Sequence, residues 1–204
     1  MDDNKKFWQR FAKLYSPFME KSNAQVYDRI AEETTLFLSN ELTVLELACG
    51  SGQLSFRLAS YAKHWEATDF SENMIAEAKK NVRPRNLFFS VKDATDLPYA
   101  DESFNAVMIA NALHIMPEPD KAMNEIHRVL KSGGLLFAPT FVHGSGVGFM
   151  LRTKILKLVG FHVFSKWTAD EFVDYVCGKG FTYKKSCLMG SSIAPLLLLA
   201  ASKN

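Results

Sequence analysis

Residues 44–52, V-L-E-L-A-C-G-S-G, decide the fold. Val44, Leu45 and Leu47 set an apolar strand pattern, interrupted by one acid, Glu46. Ala48, Cys49, Gly50, Ser51 and Gly52 form a small, glycine-punctuated turn, and Leu54, Leu58 and Tyr61 then recur at helical spacing. Strand, glycine turn and helix make the unit from which an open α/β sheet builds a nucleotide crevice. Glycine lets the backbone approach a ligand closely, and a helix N-terminus presents unpaired N–H groups.

The same alternation continues downstream. His64–Thr68 reads as a second strand ending at Asp69, and Leu87–Val91 as a third ending at Asp93. Phe104–Ile109 is a fourth, ending near Asn111. Ser71 opens a helix through Met74, Ile75 and Ala78. Pro119–Leu130 is a helix with Met123, Ile126, Val129 and Leu130 inward. Gly133 and Gly134 read as its stop, with Leu135–Ala138 as strand five. Thr168 caps a later helix through Val176, and Phe181–Lys185 and Ala194–Ala201 are the last strands.

Two helices precede the first strand. One carries an aromatic stripe (Phe7, Phe11, Leu14, Tyr15, Phe18) and the other Val26, Ile30, Leu36 and Phe37. The predicted fold is therefore α/β and Rossmann-like. Its sheet is doubly wound, seven-stranded and mostly parallel, with an antiparallel C-terminal strand and two N-terminal helices.

A chain of 204 residues suits one domain. It divides into a helical cap (1–42), a ligand-binding core (43–138), and a lid with the last strands (139–204). The net charge of +2 gives no argument for nucleic acid. Cys49, Cys177 and Cys187 are far apart and show no metal-ligand spacing, so reduced thiols, no metal and a cytoplasmic location are expected. The run Ile193–Ala201 is too short to span a bilayer and contains Pro195. Met150–Val159 forms a basic amphipathic helix, which allows at most peripheral membrane contact. Oligomeric state is not legible.

The acids at strand ends narrow the ligand. A carboxylate after strand two suits a ribose diol, and one after strand three can accept from an exocyclic amine. A pyrophosphate fits poorly: Ser55 stands where a dinucleotide fingerprint wants its third glycine, and the turn has no Lys or Arg. A phosphate-free adenosyl cation fits better.

Six ordered pieces carry a family resemblance: V-L-E-L-A-C-G-S-G (44–52), A-T-D-F-S-E-N-M (67–74), K-D-A-T-D-L-P-Y (92–99), D-E-S-F-N-A-V (101–107), N-A-L-H-I-M (111–116) and E-I-H-R-V-L-K-S-G-G (125–134). Together they resemble the class I S-adenosylmethionine-dependent methyltransferases, in the small-molecule branch that includes the ubiquinone/menaquinone-biosynthesis enzymes. The resemblance implies S-adenosylmethionine as cofactor, S-adenosylhomocysteine as product, and a small, apolar or lipid-like acceptor. It places Glu46, Ala48, Gly50 and Gly52 around the methionine half and Asp69 on the ribose. Phe70 and Met74 then flank the adenosine, Asp93 and Ala94 read the adenine edge, and Asn111 lies beside the transferring methyl. Tyr15 is implied to fold over the cofactor.

His114, His143 and Tyr15 are the candidates for catalytic contact with the acceptor. For His114 the competing reading is a packed histidine. Two other functions stay open: a non-catalytic S-adenosylmethionine-binding protein, and a nicotinamide oxidoreductase suggested by the Y-x-x-x-K spacing of Tyr175 and Lys179.

Overall fold

The computed structural model describes residues 23–142, 163–191 and 194–204. In chain order the elements are α1 (23–35), β1 (Thr43–Leu47), α2 (Gln53–Leu58), β2 (His64–Asp69) and α3 (Glu72–Ala78). Then follow β3 (Leu87–Val91), β4 (Phe104–Ile109), α4 (Pro119–Val129), β5 (Leu130–Phe137), β6 (Thr140–Phe141), α5 (Ala169–Cys177), β7 (Phe181–Ser191) and β8 (Ala194–Lys203). The predicted first helix and the Met150–Val159 helix lie outside the described residues.

The sheet runs β3-β2-β1-β4-β5-β8-β6, with β7 on the other side of β8. β1 to β5 pair in parallel. β8 runs against β5, β6 and β7, so it alone is reversed. The sheet has eight strands where seven were expected, and β6 is the extra one. It is a continuation of β5. Phe137 faces Ala200 and Thr140 faces Leu197 in the same register, and Ala138 still donates to the Leu199 carbonyl at 2.8 Å. The line breaks at Pro139, which has no N–H to give the ladder.

Two hydrophobic layers flank the sheet. Leu45, Leu47, Val107, Ile109, Leu136 and Leu199 point to the face covered by α4 and α5. Val44, Trp65, Ala106, Met108 and Phe137 point to the face covered by α1 and α2. Alternate residues of β1 thus enter different cores, which is why its run is apolar on both faces apart from Glu46.

Helix starts follow the sequence closely. The Ser71 hydroxyl accepts from the Met74 N–H, and Thr168 closes a capping box with Glu171. Gly133 and Gly134 do something else than expected. α4 ends at Val129, and both glycines lie inside β5, at the register shift opposite Phe104–Ala106. Gly133 has φ 71°, and a Cβ on Gly134 would stand 2.8 Å from the Lys131 carbonyl. They make a bulge, not a helix stop. Leu36, expected inward, is exposed: α1 ends before it, and the chain turns through a Phe37 N–H to Thr34 carbonyl bond of 3.0 Å.

Candidate functional site: a crevice at the strand ends

From β1 the chain steps outward to β2 and β3, then jumps back across β1 to β4. Such a switch point opens a crevice at the C-terminal strand ends. A cavity of about 580 Å³ lies there. Its walls come from the turns after four strands: Ala48 and Gly50, Asp69 and Phe70, Lys92 to Thr95, and Ala110 to Ala112. Met74 from α3 closes the floor.

Two of these turns hold a non-glycine residue in the left-handed region, Ala48 at φ 53° and Asn111 at φ 54°. Such backbone is costly, and it clusters where function requires it. The Asn111 N–H donates to the Pro139 carbonyl at 2.7 Å, which fixes the turn. Its buried side-chain carbonyl oxygen has no hydrogen-bond partner among the described residues. A buried acceptor left unpaired beside a cavity fits a site completed by a ligand.

Asp69 joins two walls. One carboxylate oxygen accepts from the Gly50 N–H at 2.9 Å and the other from the Ser71 N–H at 2.8 Å. Burial pushes its pKa up to about 6 despite those two bonds. Each oxygen keeps a lone pair for a further donor. Asp93 holds an Asx turn, accepting from the Thr95 N–H at 2.9 Å and the Thr95 hydroxyl at 2.7 Å.

The sequence-predicted residues divide three ways. Ala48, Gly50, Asp69, Phe70, Met74, Asp93, Ala94 and Asn111 are brought together around the one cavity. Glu46, Gly52 and His114 are not in its lining. Tyr15 and His143 lie outside the described residues.

Glu46 is 1 % exposed and faces the layer between the sheet and α2. One oxygen accepts from the Ser55 hydroxyl at 2.6 Å and from the Trp65 indole N–H at 2.7 Å. Burial raises its pKa to about 7, partly offset by those bonds. Its placement makes it a strut between β1, α2 and β2. The same burial, with the nearby Glu46 and Asp69 charges, pushes the Cys49 thiol well up, so it is inert as a nucleophile. Gly52 serves the turn: it has φ 90°, and a Cβ there would meet Phe56 at 2.8 Å.

His114 sits on a short 3-10 turn, 113–115. Its ring is buried, with Nδ1 3.0 Å from the Thr140 hydroxyl and the Phe141 ring at an edge-on 6.2 Å. The packed reading describes it.

Several lining residues were not singled out from sequence. Ile115, Met116, Pro117 and Glu118 form one rim of the cavity, although Met116-Pro117 reads in sequence as a plain turn. Ile115 and Met116 close the N-A-L-H-I-M piece that begins at Asn111, whereas Pro117 and Glu118 have only their proximity to it as a signal. Lys92 also lines the cavity, so among the described residues its ionisable groups are three carboxylates (Asp69, Asp93, Glu118) and one ammonium. That balance favours a cation over a polyphosphate. Among the described residues, no group of three or more His, Cys, Asp or Glu converges as a metal site would require.

The Tyr175–Lys179 pair lies elsewhere. The tyrosine hydroxyl donates to Asp120 at 3.0 Å, and Lys179 pairs with the same oxygen at 2.9 Å. Neither residue lines the cavity, so the pair gives no support to nicotinamide chemistry.

A family model described as a methyltransferase domain matches residues 45–138. A demethylmenaquinone methyltransferase of Clavibacter sepedonicus is 34% identical over 144 residues, covering 69% of this chain and 55% of the relative. An uncharacterised chloroplastic methyltransferase of Arabidopsis thaliana is 30% identical over 175 residues, 78% of this chain and 47% of the relative. The chain thus spans about half the length of the curated relatives it matches. Among solved structures, an S-adenosylmethionine-dependent methyltransferase of Thermotoga maritima superposes with a TM-score of 0.77 at 20% identity, covering 98% of this chain and 99% of that one; this likeness speaks for the fold alone. With the glycine turn, the strand-end acids and the switch-point cavity, these matches identify residues 45–138 as a methyltransferase domain of the Rossmann-like, S-adenosylmethionine-dependent class I.

Proposed function

We propose that this chain transfers a methyl group from S-adenosylmethionine to a small, apolar or lipid-like acceptor. One observation carries the reading: the Gly50 N–H to Asp69 carboxylate bond of 2.9 Å welds the glycine turn to the acid after β2 on one cavity wall. The cofactor supplies a methyl on a positively charged sulfur, already activated for displacement.

The protein's part is then binding, alignment and exclusion of water. Asp69 holds the ribose hydroxyls with its remaining lone pairs. Phe70 and Met74 pack against the adenosine, while Asp93 and the Ala94 backbone accept and donate at the adenine edge. The Ala48–Gly50 backbone and the unpaired Asn111 oxygen face the methionine half. The rim Ile115–Met116–Pro117 presents apolar surface to the acceptor. An acidic strand-end lining holds a cation without a full counter-charge at the sulfur, so the ground state is not over-stabilised. Demethylated quinones are the acceptor class to try first, because named relatives act on demethylmenaquinone.

No helix among the described residues is long and apolar enough to cross a membrane. Calorimetry with S-adenosylmethionine and S-adenosylhomocysteine tests the cofactor half. Release of S-adenosylhomocysteine with demethylated naphthoquinone and benzoquinone acceptors tests the other. A folded protein that binds neither nucleoside sinks the reading. Tight binding without turnover across quinones, phenols, thiols and amines makes it a cofactor-binding protein instead.

A further inference from the structure

The sheet has two outer strands, and they are built differently. β7 is guarded in the usual ways: it carries a register irregularity at Tyr183–Lys185 and an exposed Lys184, and its Lys185 is tied to Glu33 of α1 at 2.6 Å. β3 has none of these. It reads L-F-F-S-V, keeps a continuous register with β2, and leaves Phe88 and Val91 each 43% exposed.

The hydrogen bonds show which of its backbone groups turn outward. Trp65 donates to the Asn86 carbonyl and Lys92 donates to the Asp69 carbonyl, so the even-numbered residues bond inward to β2. Leu87, Phe89 and Val91 therefore face away from the sheet. The Leu87 N–H is satisfied locally by the Pro84 carbonyl, whereas no bond across the outer edge is made by Phe89 or Val91 among the described residues.

The flanks of β3 are oppositely charged. Arg83 and Arg85 precede it, both exposed. Asp93 and Asp96 follow it, joined in a tight turn by the Asp96 N–H to Asp93 carbonyl bond of 3.2 Å. Lys92, between Val91 and Asp93, lines the cavity.

We propose that β3 pairs antiparallel with β3 of a second copy of this chain, joining the two sheets edge to edge about a two-fold axis at Phe89. In that register the outward-facing residues meet one another. Phe89 exchanges both its bonds with its own copy, and each Val91 N–H reaches the Leu87 carbonyl across the axis. Phe88 and Ser90 oppose each other and place both exposed Phe88 rings on one face of the joined sheet. The charges then match: Arg85 lies opposite Asp93 of the other copy, beside its 93–96 turn, and the reverse holds symmetrically. A parallel pairing would set basic end against basic end. This surface shares one residue with the catalytic reading, because Asp93 also lines the cavity; the edge strand itself is separate from it.

Sedimentation velocity over about 1 to about 100 μM tests the proposal on the full chain. The wild type is expected to shift towards twice the chain mass as concentration rises. Arg85→Glu opposes like charges across the axis, and Val91→Lys adds the guard that β7 already has. Both residues are exposed, so neither substitution should move the thermal midpoint. Each is expected to weaken dimerisation roughly tenfold or more. Exchange of the Phe89 and Val91 amide hydrogens should slow in the dimer and recover in the variants. A wild type that stays monomeric overturns the proposal and leaves the edge to a strand of another protein. A dimer that survives both substitutions, or that leaves those amides exchanging freely, overturns it by placing the interface elsewhere.

Discussion

The two sides of the cavity are made by different kinds of structure. The side proposed for the donor is four turns at the ends of adjacent parallel strands, held by backbone N–H donors: Gly50 and Ser71 to Asp69, Thr95 to Asp93, Asn111 to the Pro139 carbonyl. The side proposed for the acceptor is, among the described residues, a single excursion, 115–118, from the end of a 3-10 turn to the start of α4. Strand ends are fixed by the whole sheet. The excursion is fixed by fewer ties: the Ile115 and Met116 N–H groups donate to the Ala112 and Leu113 carbonyls at 2.9 and 3.3 Å, and the His114 carbonyl just before it accepts from the Phe164 and Ser165 N–H groups, far along the chain, at 2.9 and 3.1 Å. A rigid side suits an invariant donor molecule, and a locally held side can vary with the acceptor.

The largest effect belongs to Asp69. Asp69→Ala leaves the Gly50 and Ser71 N–H groups without their acceptor and removes the partner of the ribose. The affinity for S-adenosylhomocysteine should fall roughly 1000-fold, about 4 kcal/mol, from the loss of charged hydrogen bonds. The wild-type affinity should also depend on pH. The Asp69 pKa is raised to about 6, and the ionised form is the better acceptor of hydroxyl donors. Binding should therefore weaken as pH drops through 6, and calorimetry at pH 5 and pH 8 would show it. Equal affinity at both would remove Asp69 from the ribose.

Glu46 is the control on the same strand ends, because it is buried like Asp69 but points away from the cavity, to Ser55 of α2 and Trp65. An acid whose pKa is raised in the folded state binds more protons folded than unfolded between its two pKa values. Its contribution to stability is greatest below the unfolded value of 4.5 and is lost as pH rises to about 7. His127, whose pKa burial lowers, acts in the opposite direction, so the comparison must be between variant and wild type. Glu46→Gln keeps an acceptor for Ser55 and Trp65 and removes the titration. Relative to wild type, its unfolding free energy should gain up to about 3 kcal/mol between pH 5 and pH 8 in denaturant titrations. Its cofactor affinity should change less than about threefold. A loss comparable to that of Asp69→Ala would return Glu46 to the binding site.

These two carboxylates also show what could be read from sequence. The place of Asp69 on the cavity wall was legible because it follows from order along the chain: strand, acid, helix cap. Glu46 sits in the same motif, but its partner Trp65 comes from the neighbouring strand, where Val44 rather than Glu46 is its direct opposite. Only the cross-strand packing shows that the indole N–H reaches back to the carboxylate. The Gly133-Gly134 pair misled for a similar reason. Glycines after a helix pattern read as a stop, and the bulge they make depends on how β5 meets β4. The strand order itself was legible, because alternating strands and helices leave few ways to wind a parallel sheet. The Ile115–Glu118 rim was not. It has no periodicity and becomes a wall only because α4 starts where it does.

On the boundary between the two sides stands Asn111. Asn111→Gly removes the unpaired oxygen and also relieves the left-handed backbone, so fold stability should change by less than about 1 kcal/mol. Cofactor affinity should nevertheless drop about tenfold. A stability loss without an affinity loss would make the residue a turn former only. Across the rim, Met116→Ala removes apolar surface worth about 1 kcal/mol in contact with an acceptor. It should raise the acceptor KM about fivefold and leave calorimetric binding of S-adenosylhomocysteine unchanged. An equal effect on both would dissolve the distinction between the sides.

The smallest effect should come from behind the rim. Asp120, in the first turn of α4 and two residues past Glu118, receives the Tyr175 hydroxyl and the Lys179 ammonium, and Trp167 stacks on the tyrosine ring at 4.7 Å. The Lys179 pair is partly solvated and adds little. Tyr175→Phe keeps the stacking and removes one exposed hydrogen bond, which contributes no more than about 1 kcal/mol. In a catalytic Y-x-x-x-K pair the same change would abolish turnover, since the hydroxyl would be the proton donor. Here it should leave cofactor binding untouched, cost at most a few degrees in thermal midpoint, and change acceptor KM less than about twofold. A KM change larger than that of Met116→Ala would mean that the rim is held chiefly through α5, so that the acceptor side is shaped by tertiary packing rather than by the local turn.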